Sequence, residues 1–248
     1  MSVKGAKNIE IQATLEENEI VPVMQVAREQ GPLPFALTAW GYEYGSRISE
    51  FGMQLMKDTD VRLGRARPAH LKSGQKQAWH LFFEFTRTAL PLWLAERETW
   101  TLEPKRKLCL FPSRIAGHRC YVCRGTGKRP RLRRDGARRF IEGVAPCEQC
   151  RGTGERWGLA APEAYKIIHS VLVAAGIPDG RNHPHVLRHS IVTHLLNAGT
   201  SVKVVQDRVG HRSMETTLEY ARLTEQALME SEGKLKARGI YNGWANKE

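Results

Sequence analysis

The stretch HPHVLRHSIVTHLLNAG, residues 183–199, places three histidines and an arginine inside eight positions at the front of an amphipathic pattern. Pro184 stands where a helix starts, because the N–H it lacks would have no partner there. His185 and Arg188 are three apart and share one face of the first turn. Ile191, Leu195 and Leu196 are predicted to face the core, and Gly199 to close the helix. A helix start attracts anions through its free N–H groups and its dipole. A planar guanidinium beside it matches phosphate oxygens. The stretch therefore reads as a phosphate cradle built on His185 and Arg188, with His183, His189 and His194 as structural residues.

Farther on, SVKVVQDRVGHRSMETTLEYARL predicts a helix over 201–208 that ends at Gly210. His211 follows, then a second helix carrying Tyr220. A tyrosine hydroxyl titrates near 10 and attacks phosphorus only when the phosphate is activated and its own proton is removed. Taken alone, Tyr220 would be an ordinary half-buried helical tyrosine. The ordered set HxxR, then GH, then a tyrosine nine residues later resembles the tyrosine recombinase, or phage integrase, family. On that resemblance HPHVLRHS supplies His185 and Arg188, VGHRS supplies His211 and LEYARL supplies Tyr220. Upstream, GSRISEF looks like the family's first-arginine motif, giving Arg47 as a phosphate ligand with Glu50 in support. The segment HLKSGQK matches the mobile catalytic lysine, for which Lys72 is the candidate and Lys76 the rival.

The resemblance covers about residues 15–112 and 157–228. It implies an α+β, mainly helical catalytic fold with a small antiparallel sheet. It also implies strand exchange through a 3′-phosphotyrosyl link, with Arg47 and Arg188 clamping the phosphate and Tyr220 attacking it. Lys72 would protonate the leaving oxygen, His185 would exchange a proton with the tyrosine, and His211 would hydrogen-bond the phosphate. Neither ATP nor a catalytic metal enters that scheme. Its partners would be double-stranded DNA and further copies of the chain, four protomers forming a synapse on two duplexes. Most family members carry a separate N-terminal helical DNA-binding domain of ~100 residues, a common small-domain size. Here EENEIVPVMQVAREQG already reads as the first catalytic helix, so a short form without that domain is expected, similar to the fimbrial-switch invertases.

Composition agrees. The chain has 248 residues and 41% hydrophobic content, enough for one large domain or two small ones. A formal charge of +12 favours a polyanionic partner. Residues 124–139, RGTGKRPRLRRDGARR, hold eight Lys or Arg against one Asp. No apolar run approaches the ~18 residues of a membrane span, and the N-terminus has no signal-like apolar core. A cytoplasmic, nucleoid-associated protein is expected.

Spaced apolar residues predict helices over 13–30 and 34–45. AHLKSGQKQAWHLFFEF predicts a β-hairpin turning at Ser-Gly, and a helix is predicted over 87–100 with Pro91 near its first turn. Residues 114–156 break the pattern, being rich in Arg, Gly and Cys. Helical periodicity resumes at APEAYKIIHSVLVAAG. The expected organisation is an N-terminal part of the catalytic domain (1–113), an inserted module (114–156), a C-terminal part (157–228) and a tail (229–248).

Within the insertion, CYVCRGTG (120–127) and CEQCRGTG (147–154) both fit CxxCxGxG. Paired cysteines in a cytosolic chain favour metal over disulfides. Cys120, Cys123, Cys147 and Cys150 would make one closed, tetrahedral, structural zinc site, the glycines turning N–H groups toward sulfur. The duplicated motif resembles the zinc-binding module of DnaJ-type chaperones in a single-site form; free or redox thiols are the alternative. Cys109, in LCLFPS, reads as buried core. Between the knuckles, Lys128, Arg129, Arg131, Arg133, Arg134, Arg138 and Arg139 are expected to meet DNA phosphates, with a neighbouring protomer as the rival partner. The tail, with Ile240, Tyr241 and Trp244, is expected to dock on an adjacent subunit or fold back on its own core. A non-cleaving DNA-binding protein and a chaperone-like binder are the other readings; the His-Arg-His-Tyr array speaks against both.

Overall fold

The computed structural model of the chain describes residues 14–69, 78–114, 117–120, 122–135, 138–147, 150 and 152–210. Its centre is decided by one segment. PLPFALTAWGYE is apolar almost all round, and a helix of that kind must be buried. It forms α2 (Pro32–Glu43), in which every residue from Phe35 to Glu43 is buried. Pro32 opens it, where a missing N–H costs nothing. Around it pack α1 (Glu17–Glu29), α3 (Glu84–Glu98), α5 (Ala161–Ala174) and α6 (His185–Asn197). A short α4 (Pro104–Lys107) follows α3, and α7 (Val202–Val209) packs on α6.

The surrounding helices are amphipathic. In α1, Ile20, Val23, Met24 and Ala27 form the inward stripe. The Glu19 carboxylate accepts the Glu16 N–H at 2.7 Å and closes the first turn. In α3 the stripe is Thr86, Ala89, Leu90, Trp93 and Arg97. This helix starts at Glu84, three residues before the sequence-based start, so Pro91 lies in its interior rather than near its first turn. The reason is a remote cap. The buried Glu43 carboxylate, at the end of α2, accepts the N–H groups of Phe85 and Thr86 at 2.8 and 3.0 Å.

Three short antiparallel strands, β1 (Thr59–Asp60), β2 (Arg65–Ala66) and β3 (His80–Leu81), form the small sheet in that order. The expected hairpin is the β2–β3 pair, with Arg65 opposite Leu81 and Ala66 opposite His80. Its paired residues begin before the quoted run, and residues 70–77, which include the predicted Ser-Gly turn, lie outside the described residues.

The chain on either side of the Cys-rich segment comes together. Pro112 and Gly158 form an isolated antiparallel bridge. β4 (His118–Arg119) then runs against β7 (Glu155–Arg156). Between them, β5 (Lys128–Asp135) and β6 (Arg138–Pro146) make a long two-stranded ribbon. At the root, Gly52 and Gly158 cross closely; a Cβ on Gly158 would lie 1.9 Å from the Gly52 carbonyl oxygen. The four insertion cysteines and Val122 form a cluster apart from the main core. Cys109 is buried, as expected. Among the described residues no helix is long and apolar enough to cross a membrane.

Candidate active site and metal centre

The carbonyls at the end of α2 lack partners within the helix and carry partial negative charge. Two buried arginines grip them. Arg188 of α6 donates from a terminal nitrogen to the Gly45 carbonyl. Arg208 of α7 donates its Nε–H to the Glu43 carbonyl at 2.7 Å and both terminal nitrogens to Leu81 at 3.3 Å. The Arg208 guanidinium lies 3.6 Å from the Phe83 ring centre and 4.9 Å from that of Tyr44. Gly45 turns the chain here with φ +57, and a Cβ on it would press on Val209 at 2.8 Å. Two residues later comes Arg47.

Arg47 is held by Glu50. The buried Glu50 carboxylate accepts the Arg47 backbone N–H at 2.8 Å and pairs with its guanidinium at 3.0 Å. The Arg47 side chain keeps 22% of its surface open to solvent, whereas Arg188 keeps 3% as a residue. One arginine faces outward and the other forms the floor.

His185 reports how close these groups are. Burial, then the charges of Arg188, Arg47 and His183, push its pKa from 6.5 down to about 4, with Glu50 opposing. The imidazole is therefore neutral at pH 7, with a lone pair to accept a proton. His189 stands ring-edge to ring-face with it, centroids 4.6 Å apart. Burial first, then His185, Arg188 and His183, lower its pKa to about 3. His194 is structural: its ring nitrogens meet the Tyr42 hydroxyl at 2.9 Å and the Leu15 carbonyl at 3.0 Å.

Of the six residues expected to act together, the structure thus gathers Arg47, His185 and Arg188. Lys72, its rival Lys76, His211, Tyr220 and the tail lie outside the described residues. Gly210, left-handed at φ 65, caps α7 immediately before His211 in the chain. Sequence reasoning missed Glu43 and Arg208. Their signal was a charge on a buried stripe: Glu43 ends an apolar helix, and Arg208 falls in register with Val205 on α7.

The second site is the cysteine cluster. All four Sγ atoms lie within 4.8 Å of one another, and all four residues are buried. Cys120 and Cys147 are 3.9 Å apart, Cys123 and Cys150 3.6 Å. A tetrahedron with bonds of ~2.3 Å from metal to sulfur has edges of about 3.8 Å. The Gly127 N–H points at Cys123 Sγ and the Gly154 N–H at Cys150 Sγ, each at 3.2 Å. The knuckles also exchange backbone bonds, Cys120 N–H to Gly154 O at 2.7 Å and Cys147 N–H to Gly127 O at 2.8 Å. Burial drives Cys120 up to about 12 and raises Cys150. Cys123 goes the other way, to about 6; burial opposes this, but the Gly127 N–H and the neighbouring thiols outweigh it. A cation would let all four ionise. The donor set fits a closed metal site.

The basic residues between the knuckles lie on the ribbon. Lys128, Arg129 and Arg131 are exposed on β5. Positions 133, 134, 138 and 139 belong to the strands near the turn.

The chain belongs to the phage integrase family, whose profile matches residues 13–227. Among its relatives is the type 1 fimbriae regulatory protein FimE of Escherichia coli, 28% identical over 190 residues, which make up 77% of this chain and 74% of FimE. Tyrosine recombinase XerD of Mycobacterium leprae is 43% identical over 72 residues, 29% of this chain and 22% of XerD. The match to XerD and similar recombinases thus spans only about a fifth to a quarter of their length. Among solved structures, XerA recombinase superposes with a TM-score of 0.63 at 20% identity, covering 94% of this chain and 66% of XerA. XerH recombinase, in a post-cleavage complex with its palindromic difH substrate, gives 0.60 at 19% identity, covering 90% of this chain and 53% of XerH. The described part has the tyrosine recombinase catalytic fold.

Proposed function

We propose that this chain is a site-specific DNA recombinase that cuts and rejoins strands through a 3′-phosphotyrosyl link at Tyr220. One observation carries the reading: Arg188, in the first turn of α6 with His185, is bonded to the carbonyl of Gly45, two residues before the Glu50-paired Arg47. Two guanidiniums, of which Arg47 is paired with the Glu50 carboxylate, leave positive charge suited to a phosphodiester. The non-bridging oxygens accept from Arg47 and Arg188. The Tyr220 oxygen attacks phosphorus, its proton passes to His185, and the bond to the 5′-oxygen breaks. Lys72 supplies the proton that the leaving oxygen takes, and His211 hydrogen-bonds the phosphate. A 5′-hydroxyl of another strand then reverses the step, so the bond energy is conserved and no nucleotide is consumed.

The same reading places the protein on double-stranded DNA in the cytoplasm, at the nucleoid, with four protomers in the working synapse. FimE and the Xer recombinases support it as relatives, and XerH was captured on its DNA substrate. Residues 114–156 form an inserted module between the two parts of the catalytic domain. One structural zinc is held there by Cys120, Cys123, Cys147 and Cys150; when bound it cross-links the two knuckles.

A nicked suicide duplex tests this, once a bound site has been selected from a random-sequence library. The expected result is a covalent protein–DNA adduct on denaturing gels that disappears in Tyr220→Phe. A site that is bound but never yields an adduct overturns strand cleavage and leaves a DNA-binding accessory protein.

A further inference from the structure

The register of the ribbon sorts its residues by face. Opposed residues of an antiparallel pair project to the same side, and sides alternate along each strand. Arg129 opposes Ala145 and Arg131 opposes Gly143, so these four share one face. Pro130 and Val144 share the other. A bulge between Arg131 and Leu132 takes up Glu142 as the extra residue on β6. Beyond it Ile141 continues the Pro130 side and Phe140 the arginine side. Positions 133 and 138 fall in register with the arginine row; 128, 134 and 139 fall in the other. The basic strip is thus divided: positions 129, 131, 133 and 138 share one side with 135, and positions 128, 134 and 139 share the other with Pro130, Ile141 and Val144.

The face shared by Arg129, Arg131 and Gly143 is open at these positions. Arg129 and Arg131 are exposed, and neither forms an ion pair among the described residues. A Cβ built on Gly143, beside Arg131, meets nothing within 4 Å. Successive same-face residues of a strand lie about 6.8 Å apart, twice the ~3.4 Å axial spacing of phosphates along one DNA strand. The ribbon starts directly from the knuckles, Lys128 following Gly127 and Pro146 preceding Cys147, so its root is fixed by the cysteine cluster.

We propose that the Arg129–Arg131 face of this ribbon lies along the phosphate backbone of duplex DNA, gripping it without reading sequence. The proposal rests on the recombinase reading for the choice of duplex DNA as partner; charge complementarity supplies the face.

The test uses the full, metal-loaded chain and a short fluorescent duplex of arbitrary sequence, with anisotropy followed through a salt series. Each phosphate contact contributes ~0.9 to the slope of log affinity against log salt. Arg129→Gln with Arg131→Gln should therefore weaken binding and flatten the slope by about 1.8, each single change giving about half of that. Arg129→Lys with Arg131→Lys keeps the charge and should keep the slope. Ile141→Ser with Val144→Ser, on the opposite face, should bind like the parent chain. Glutamine variants with the parent slope, or serine variants that lose as much as the glutamine ones, overturn the proposal. In those cases the parent chain still binds duplex and the recombinase reading stands. A parent chain that binds no duplex even at low salt overturns both.

Discussion

Arg188 performs two tasks with one guanidinium. It ties the loop after α2 through the Gly45 carbonyl, and its charge reaches the imidazole one turn back. Arg188→Ala should lower adduct formation by about 10²–10³-fold, the usual scale for losing one oxyanion donor. It should also lower the melting temperature, since a buried carbonyl is left unpaired at a cost of about 1–3 kcal/mol. Arg47→Gln, at a half-buried position, should lower adduct formation in single-turnover assays with a smaller change in melting. The histidines give a pH prediction. His185 and His189 have folded-state pKa values depressed from 6.5 to about 4 and about 3. The unfolded chain takes up protons as pH falls through 6.5 while the folded chain does not. Their contribution is therefore complete above pH 6.5 and drains away as pH falls toward 4. Melting temperature measured between pH 7.5 and 4.5 should fall, and fall less steeply in His189→Gln. At this scale His185 and Arg188 stood out in the sequence through their spacing within one motif, and Arg47 through a separate motif, GSRISEF. Glu43 and Arg208 were not, because each acts on backbone more than thirty residues away.

At the scale of elements, α3 begins where α2 ends. The Glu43 carboxylate satisfies two first-turn N–H groups that no local residue caps. Burial raises the Glu43 pKa, while Thr86, the Phe85 N–H and Arg208 pull it back. Glu43→Ala should cost at least the ~1–2 kcal/mol of a lost cap, read as a lower melting temperature together with faster amide exchange at Phe85 and Thr86. Glu43→Gln keeps an acceptor oxygen and should fall between. This cap explains why periodicity alone set the start of α3 too late: the pattern of apolar residues shows which face is buried, whereas the first turn is decided by a distant partner. The start of α6 was legible because Pro184 stands directly before it, and α7 is capped locally, Ser201 Oγ accepting from the Val204 N–H. The ribbon was the reverse case. Its arginines stood out in the sequence, but its two-faced character depends on a register that composition does not carry.

At the scale of the whole molecule, the chain has a large helical core and a separate cysteine cluster. Metal analysis should find one equivalent of zinc per chain. Stripping it with a strong chelator should expose the Cys-rich segment to protease while most helical circular dichroism persists, because among the described residues the cysteine cluster is separate from the helical core. Loss of the helical signal in step with the metal would show that the two parts melt together. The change in composition marked off residues 114–156 in the sequence, but it carried no sign of the Gly52–Gly158 crossing or of the bridge at Pro112. That attachment bears on how the polypeptide is made. An appendage with a single doorway does not alter the route by which the flanking segments find each other. To them it is only a long turn, and lengthening a turn is penalised logarithmically. The helices on either side can assemble first, and the finger can ripen afterwards, on its own schedule.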